Sequence, residues 1–461
     1  MIVMKFGGTS VQDAAAINQT TEIVKSKLSQ KPVVVVSAMS RVTDALLKIA
    51  HTAQSRRYDE ARVVIDDLLT RHLATARELL SSAGSANLLE YVEQNIHKYF
   101  SELDNLAHSV ATLGELTPRS QDAIVSFGER LSSLIISAAF QANGIHAELV
   151  DSRSFVITDD KFTSAAPRLE ATEMRTRAAL AHIIESGRVP VAQGFIGSTT
   201  DGITTTIGRG GSDYSAAIIG AALAADAIEI WTDVDGLLTS DPRVVSDVRR
   251  IRVISFEEAA ELSYFGAKVL HPSTVLPAVE KGIPVHIFNT KNPSCEGTVI
   301  LAESPPSKNS IKAIAFKRKV TVVNVNSTRM LMAHGFLRAL FEVFERHQTS
   351  VDVVTTSEVS VSMTLDSTER LEAIKADLRG YGELSIETHK AIVCVVGDNL
   401  KFKPGVAGKL FSALGDVNIH MISQGASEIN LTFVIEDRDV EQVARKLHSE
   451  FFTEIDPAVF A

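Results

Sequence analysis

Short apolar runs alternate with helix-period segments through the first 300 residues, and this alternation restricts the fold more than any other feature. The runs are IVMKF (2–6), PVVVVSAMS (32–40), AELVDSR (147–153), VPVAQGFIG (189–197), AIEIWTDV (227–234) and IPVHIFN (283–289). They read as strands covered on both faces. Strands separated by helices predict an α/β domain with a mostly parallel sheet. Between Tyr58 and Leu113 no strand pattern appears. There Ala61, Val64, Ile65, Leu68, Leu69, Leu73, Ala76, Leu79 and Leu80 recur at three- and four-residue spacing. The spacing predicts an amphipathic helix, followed by a second over about 88–112, and the excursion reads as packing.

The polar, proline-bearing stretch ESPPSKNS (303–310) reads as a linker that closes a catalytic domain over 1–302. Beyond it the order becomes strand, helix, strand, strand, helix, strand over 320–388, and the pattern returns from about 390 to 455. Gly335 in GFLRALFEVF and Gly405 in GVAGKLFSAL stand 70 residues apart in equivalent places. Two copies of a ferredoxin-like βαββαβ unit are expected. The second copy lacks a convincing last strand, since only TEIDPAVFA remains. IKAIAFKR (311–318), ahead of the first copy, is the spare strand expected to fill the gap.

A balance of 46 basic against 56 acidic residues, net −10, excludes a general nucleic-acid binder. Cys295 and Cys394 read as reduced core residues rather than a disulfide. No segment of about 20 apolar residues and no signal peptide is evident, so a soluble cytoplasmic protein without a membrane partner is expected.

The chemistry gathers at strand ends. In MIVMKFGGTSV, Lys5 ends the first strand and precedes Gly7 and Gly8, and Thr9 or Ser10 is placed to cap a helix over about 11–24. Strand, glycine turn, helix start and lysine together suggest a phosphate cradle. SAMSRVT (37–43), FGERLSS (127–133), GRGGSDYSAA (208–217), WTDVDGLLTSDPR (231–243) and FGAKVLHP (265–272) have the same character. In an open α/β sheet such ends converge on one crevice. Glycine loops, lysines, arginines and carboxylates meeting there suggest phosphoryl transfer, which needs positioning, charge neutralisation and Mg²⁺. No GxxxxGKS or GxxxxGKT run and no HRD or DFG set is present.

Read together, KFGGTSV, FGER, GFIG…TTTIGRGGSDYSA, WTDVDG…DPR and FGAKVLHP resemble the aspartate kinases of the amino-acid kinase family. The resemblance runs over nearly the whole chain. The duplicated tail looks like the pair of ACT domains such enzymes carry, and the length matches the monofunctional, lysine-sensitive type. The resemblance implies ATP-dependent phosphorylation of L-aspartate on its β-carboxylate, at the head of the aspartate-family biosynthetic route. It implies that Lys5 neutralises the transferring phosphoryl group, Lys268 is a second cation on the nucleotide phosphates, and Asp213 orients the lysines and substrate. Arg209 would grip the α-carboxylate, and Glu129 would receive the α-ammonium with Thr43 and Ser212 nearby. Gly7, Gly8, Thr232, Asp233, Leu238 and Arg243 would complete the nucleotide site. Leu238 stands where relatives often carry a Tyr. Mg²⁺ would be carried by ATP, with no protein metal site.

For the tail, the resemblance implies effector binding at Met330, Gly335, Phe336, Leu337, Ser350, Val351, Asp352, Thr356, Ser357 and Glu358. Core packing is the alternative for Met330, Phe336 and Leu337. Lysine is the expected effector, and Ala333, where a Ser is common, keeps threonine as the alternative. A homodimer through the ACT domains is expected, with pairing into a dimer of dimers left open. Two other readings are a kinase of another acidic amino acid such as glutamate, and an inactive amino-acid sensor.

Overall fold

A computed structural model describes residues 1–266, 274–331 and 334–461. The chain forms two compact units. One takes in Met1–Leu237 and the later stretch up to Glu303; the other takes in the intervening stretch from Leu238 and everything from Ser304 onward.

In the first unit the strands lie in the order Ala147–Val150, Val189–Gln193, Val33–Val36, Ile2–Phe6, Ala227–Thr232, Val285–Asn289 and Thr298–Leu301. All pair in parallel except the last, which runs antiparallel to Val285–Asn289. Every residue of Ile2–Phe6 and Val33–Val36 is buried, as unbroken apolar runs require. Strand Ile2–Phe6 pairs with Val33–Val36 on one side and with Ala227–Thr232 on the other, with Lys5 in register with Val35 and Ile230. The chain order therefore reverses at this strand. The crevice beyond its end, at Gly7, is where an open sheet of this kind binds ligands.

The helix after that strand starts later than the sequence suggests. Gly8–Val11 is a single 3-10 turn, and the α-helix spans Ala14–Ser26. Its cap is Asp13, whose Oδ1 accepts from the Ala16 N–H at 2.9 Å, not Thr9 or Ser10. The helical excursion forms Tyr58–Leu79 and Ala86–Leu113, whose apolar stripes are buried. The stretch 118–142 is long and apolar enough to pass for a membrane span, contrary to expectation. It is core, however: 89% of its most apolar window is buried. Cys394 is buried as expected, whereas Cys295 is only partly covered; both are free.

In the second unit six antiparallel strands run in the order Val354–Thr356, Ser360–Leu365, Ala313–Asn326, Glu383–Val396, Asn430–Glu436 and Met421–Gln424. The two long strands pair along their length with a break in register between Lys317 and Val322. Ala313–Lys317 pairs with residues 392–396, and Val320–Asn326 pairs with residues 383–390. Lys319 and His389 take positive φ of 60° and 58° near that break, and Gly335 and Gly405 start their helices at 80° and 81°. Both pairs are 70 residues apart, so the internal repeat extends to backbone conformation. Two cross-connected copies of one small unit result, each with two helices. The outer strands approach each other, with Thr355 Oγ1 donating to the Ile422 carbonyl at 3.4 Å.

Candidate active site

Two loops form the walls at the end of strand Ile2–Phe6. The first runs from Gly7 to Gln12, and its Gly7 N–H donates to the Trp231 carbonyl at 3.0 Å. Ser10 Oγ lies 2.6 Å from Thr290 Oγ1. The second follows strand Val33–Val36 and joins the first where the Ser40 N–H donates to the Gly8 carbonyl at 3.0 Å. A Cβ at Gly8 would fall 2.9 Å from the Ala38 carbonyl oxygen, so this approach needs glycine. At Gly7 a Cβ would make only ordinary contacts. Of the two glycines, Gly8 is the one the backbone demands.

Behind these loops lies an open cleft of about 680 Å³. It brings together Lys5, Gly7, Gly8, Thr43, Glu129, Arg209, Ser212, Asp213 and Thr232, although they come from segments far apart in sequence. Lys5 is only 8% exposed. Its Nζ lies 2.6 Å from Asp213 Oδ1, which projects from the first turn of helix Gly211–Leu223. That acid compensates a cation which burial would otherwise make costly. Arg209, in the glycine loop before this helix, is exposed at the cleft. Thr43 sits in the first turn of helix Val42–Gln54.

Glu129 is the most perturbed acid here. Helix Phe127–Ala142 holds it in its first turn, 3% exposed. One carboxylate oxygen accepts from the Ala38 N–H at 3.1 Å; Oε2 is buried without a hydrogen-bond partner. Burial pushes its pKa up to about 8, against the lowering effect of the Ala38 bond. An unpaired buried carboxylate oxygen at a polar cleft suits a cationic ligand group. Arg130, next in sequence, turns away and lies 4.4 Å over the rings of Tyr99 and Phe127.

Sequence reasoning missed Asp122. Almost fully buried at the cleft wall, it accepts from the Thr163 N–H at 2.9 Å, the Thr206 N–H at 2.9 Å and Thr206 Oγ1 at 2.6 Å. It thereby ties two loops of the wall together. Burial raises its pKa, opposed by these hydrogen bonds. Arg41, Thr163 and Phe195, with positive φ of 66°, 70° and 66°, also line the cleft. Backbone strain of this kind gathers where surrounding structure holds a site in shape.

The remaining expected nucleotide residues divide between the units. Asp233 is exposed beside Thr232, whose Oγ1 lies 3.3 Å from its carboxylate. In the second unit Leu238 is half-buried, and Arg243 is largely exposed and paired with Asp241 at 2.6 Å. Lys268 lies outside the described residues, as does Ala333. No group of three or more His, Cys, Asp or Glu side chains suited to a metal ion occurs among the described residues.

Of the expected effector residues, Met330, Phe336 and Val351 pack against the core of the first repeat, as the packing alternative proposed for the first two. Leu337 is 40% exposed. Gly335, Ser350, Thr356, Ser357 and Glu358 are exposed. Asp352 is already engaged, with its side chain 1% exposed. It is paired with Lys317 Nζ at 2.8 Å and accepts from the Tyr264 hydroxyl. Lys317 also pairs with Asp366 at 2.9 Å. Burial alone would lower the Lys317 pKa, but the hydrogen bonds to Asp352 and Asp366 outweigh it and raise it.

The amino acid kinase family profile matches residues 1–289, and an ACT domain profile matches residues 393–451. The chain is 37% identical to lysine-sensitive aspartokinase 3 of Escherichia coli (strain K12), covering 98% of this chain and 99% of that protein. It is also 37% identical to the chloroplastic aspartokinase 3 of Arabidopsis thaliana, over 98% of this chain and 81% of the relative. Among solved structures it is similar to E. coli aspartokinase III in complex with aspartate and ADP (R-state). That match has a TM-score of 0.84 and 36% identity, over 98% of this chain and 100% of the other. The same enzyme in complex with lysine and aspartate (T-state) matches with a TM-score of 0.83 at 37% identity, over 98% and 99%.

Proposed function

The chain belongs to the aspartokinases, and we propose how its residues divide the work of the reaction. It is an aspartate kinase: ATP phosphorylates the β-carboxylate of L-aspartate to give 4-phospho-L-aspartate, under control by lysine. The observation that carries the assignment of roles is the cleft itself. The Lys5–Asp213 pair, the Gly8 cradle, Glu129 and Arg209 all line it.

The attacking carboxylate has an ordinary pKa of about 3.9 and is ionised at neutral pH, so no general base is needed. The protein must instead bring two anions together and hold them in line. Lys5 lies at the junction and neutralises charge that develops as the phosphoryl group moves. Asp213, at 2.6 Å, fixes the position of its ammonium. Glu129 takes the α-ammonium through its unpaired oxygen, giving up a proton as the ligand binds. Arg209 takes the α-carboxylate, with Thr43 and Ser212 lining the same cleft. Gly7, Gly8, Thr232 and Asp233 receive the nucleotide, with Leu238, Arg243 and Lys268 assigned to it as well. Mg²⁺ carried on the ATP phosphates would supply charge neutralisation there. Two of the cleft carboxylates are committed elsewhere, Asp213 to Lys5 and Asp122 to its loops, and Glu129 is assigned to the α-ammonium, which supports a metal held mainly by the nucleotide.

We assign residues 1–302 to catalysis, 303–310 to a linker, 320–388 to a first ACT copy, and 311–318 with 390–455 to a second. The pairing of residues 313–317 with 392–396 supports inserting the first copy within the second. Lysine binds the first copy near Ser350–Glu358, with threonine as the alternative. The first copies of two chains pair as a dimer, for which Leu337 and Phe341, exposed on helix Phe336–Arg346, supply apolar surface; a dimer of dimers would extend this. A cytoplasmic location accords with the two free cysteines. The reading is tested by following ADP release with a panel of acidic amino acids while hydroxylamine traps any acyl phosphate. Aspartyl hydroxamate is expected; hydroxamate from glutamate alone, or none, refutes it.

A further inference from the structure

The helical excursion sends one side chain toward the phosphate loops. Arg71, on helix Tyr58–Leu79, donates through Nη1 to the Ser40 carbonyl at 2.9 Å and through Nη2 to the Gln12 carbonyl at 2.9 Å. Gln12 ends the Gly7–Gln12 loop, and Ser40 lies in the loop after strand Val33–Val36. One guanidinium thus spans both walls of the cradle, adding to the single bond from the Ser40 N–H to the Gly8 carbonyl. The fork geometry of arginine suits two acceptors at fixed separation, because its donors are held rigidly in one plane; a lysine ammonium is a compact point charge on a flexible stem. The Arg71 carbonyl accepts from Thr75 Oγ1 at 3.0 Å, and neighbouring His72 is buried against Phe100.

Arg71 is partly buried and makes no ion pair with a carboxylate among the described residues. Burial lowers its pKa, with Asp13 opposing and Arg41 adding to the effect. A charged group covered this way without a counter-ion costs stability unless something else benefits from it. Both of its acceptors belong to peptides whose N–H groups are those of Asp13 and Arg41, in the two loops around the cradle. A cation on a carbonyl strengthens the dipole of that peptide and of the hydrogen bonds it makes.

We propose that Arg71 is a positioning residue for phosphoryl transfer: it fixes the separation of the Gly7–Gln12 phosphate loop from the loop after strand Val33–Val36 and places a positive charge behind them. This rests on the kinase reading. It predicts a selective effect on the nucleotide side of the reaction, since Arg71 touches none of the residues assigned to aspartate.

The test uses the full-length protein as wild type, Arg71→Ala and Arg71→Lys, with Mg²⁺–ATP and L-aspartate. For Arg71→Ala the KM for ATP should rise and kcat fall, each by about tenfold, with the KM for aspartate within about twofold of wild type. Millimolar guanidinium, but not equal urea or sodium chloride, should restore part of the loss. Arg71→Lys should be intermediate, and it serves alone if the alanine variant does not fold. An unchanged KM for ATP overturns the proposal. So does an equal rise in both KM values, or a loss of thermal stability without guanidinium rescue. If wild type forms no acyl phosphate, the kinase reading fails, and ADP titration still decides the role of Arg71. About tenfold weaker ADP binding by the alanine variant supports that role, and equal binding refutes it.

Discussion

Glu129→Gln should make the unliganded protein more stable while crippling its affinity for aspartate. The carboxyl is held at about 8 against an ordinary 4.5 because burial disfavours its charge. Below pH 4.5 the folded and unfolded chains both carry the proton, and the group costs nothing. As pH rises from 4.5 to 8, the unfolded chain releases the proton and the folded chain retains it, so stability declines; above about 8 the decline ends. At about 1.4 kcal/mol per pKa unit, the cost at pH 7 reaches ~3 kcal/mol. Glutamine keeps an acceptor for the Ala38 N–H and never ionises, so it removes this cost. Trp231 is the only tryptophan, buried in the first unit, and its fluorescence reports the urea transition there. The variant's unfolding free energy should exceed that of wild type at pH 8, with the gap narrowing to about 1 kcal/mol at pH 5.5. Binding the α-ammonium requires the ionised form, which is about a tenth of the wild-type enzyme at pH 7 and half at pH 8. The wild-type KM for aspartate should therefore fall about fivefold between those pH values. In the variant it should rise about a hundredfold and lose this pH dependence. A variant less stable than wild type at pH 8, or one whose KM still falls with pH, refutes the reasoning.

Other perturbations separate the remaining roles. Lys5→Ala should lower kcat by about 10²–10³, while Arg209→Ala should chiefly raise the KM for aspartate; steady-state kinetics with the two effects interchanged would reject both assignments. Asp122→Ala leaves two backbone N–H groups and the Thr206 hydroxyl without their acceptor. It should cost about 2–4 kcal/mol by the same fluorescence assay, and an unchanged midpoint would show that the clamp is dispensable. Lys317→Met leaves Asp352 buried without its counter-ion, so a lysine effector should inhibit at concentrations about tenfold lower, while Asp352→Ala should abolish inhibition. A lysine response identical to wild type in both variants would remove Asp352 from the effector site.

What was legible in the sequence is what local pattern encodes. Lys5, Gly8 and Asp213 announce themselves through a buried strand, a glycine turn and a helix start. The repeat shows in the glycines at 335 and 405, and the structure adds the matching backbone at Lys319 and His389. Features that depend on distant partners were hidden. Asp122 meets Thr206 across 84 residues, and Arg71 meets its two loops across 31 and 59. The excursion read as packing therefore supplies a group to the cradle. Asp352 has the residue type and position of an effector ligand, but nothing local reveals that Tyr264 and Lys317 already occupy it. The cap fell on Asp13 because the 3-10 turn delays the helix by a few residues, which composition does not reveal.

The central claim is that an oxygen of the aspartate β-carboxylate attacks ATP in a cleft organised by Lys5. The direct measurement uses L-aspartate labelled with ¹⁸O in the β-carboxylate, with Mg²⁺–ATP and excess hydroxylamine, followed by ³¹P NMR of the released phosphate. Hydroxylamine cleaves the acyl phosphate at carbon, so the bridging oxygen leaves with phosphorus. The account predicts phosphate carrying one ¹⁸O in step with aspartyl hydroxamate, and loss of both in Lys5→Ala. Phosphate without label would mean that water, not aspartate, is the nucleophile, and would contradict it.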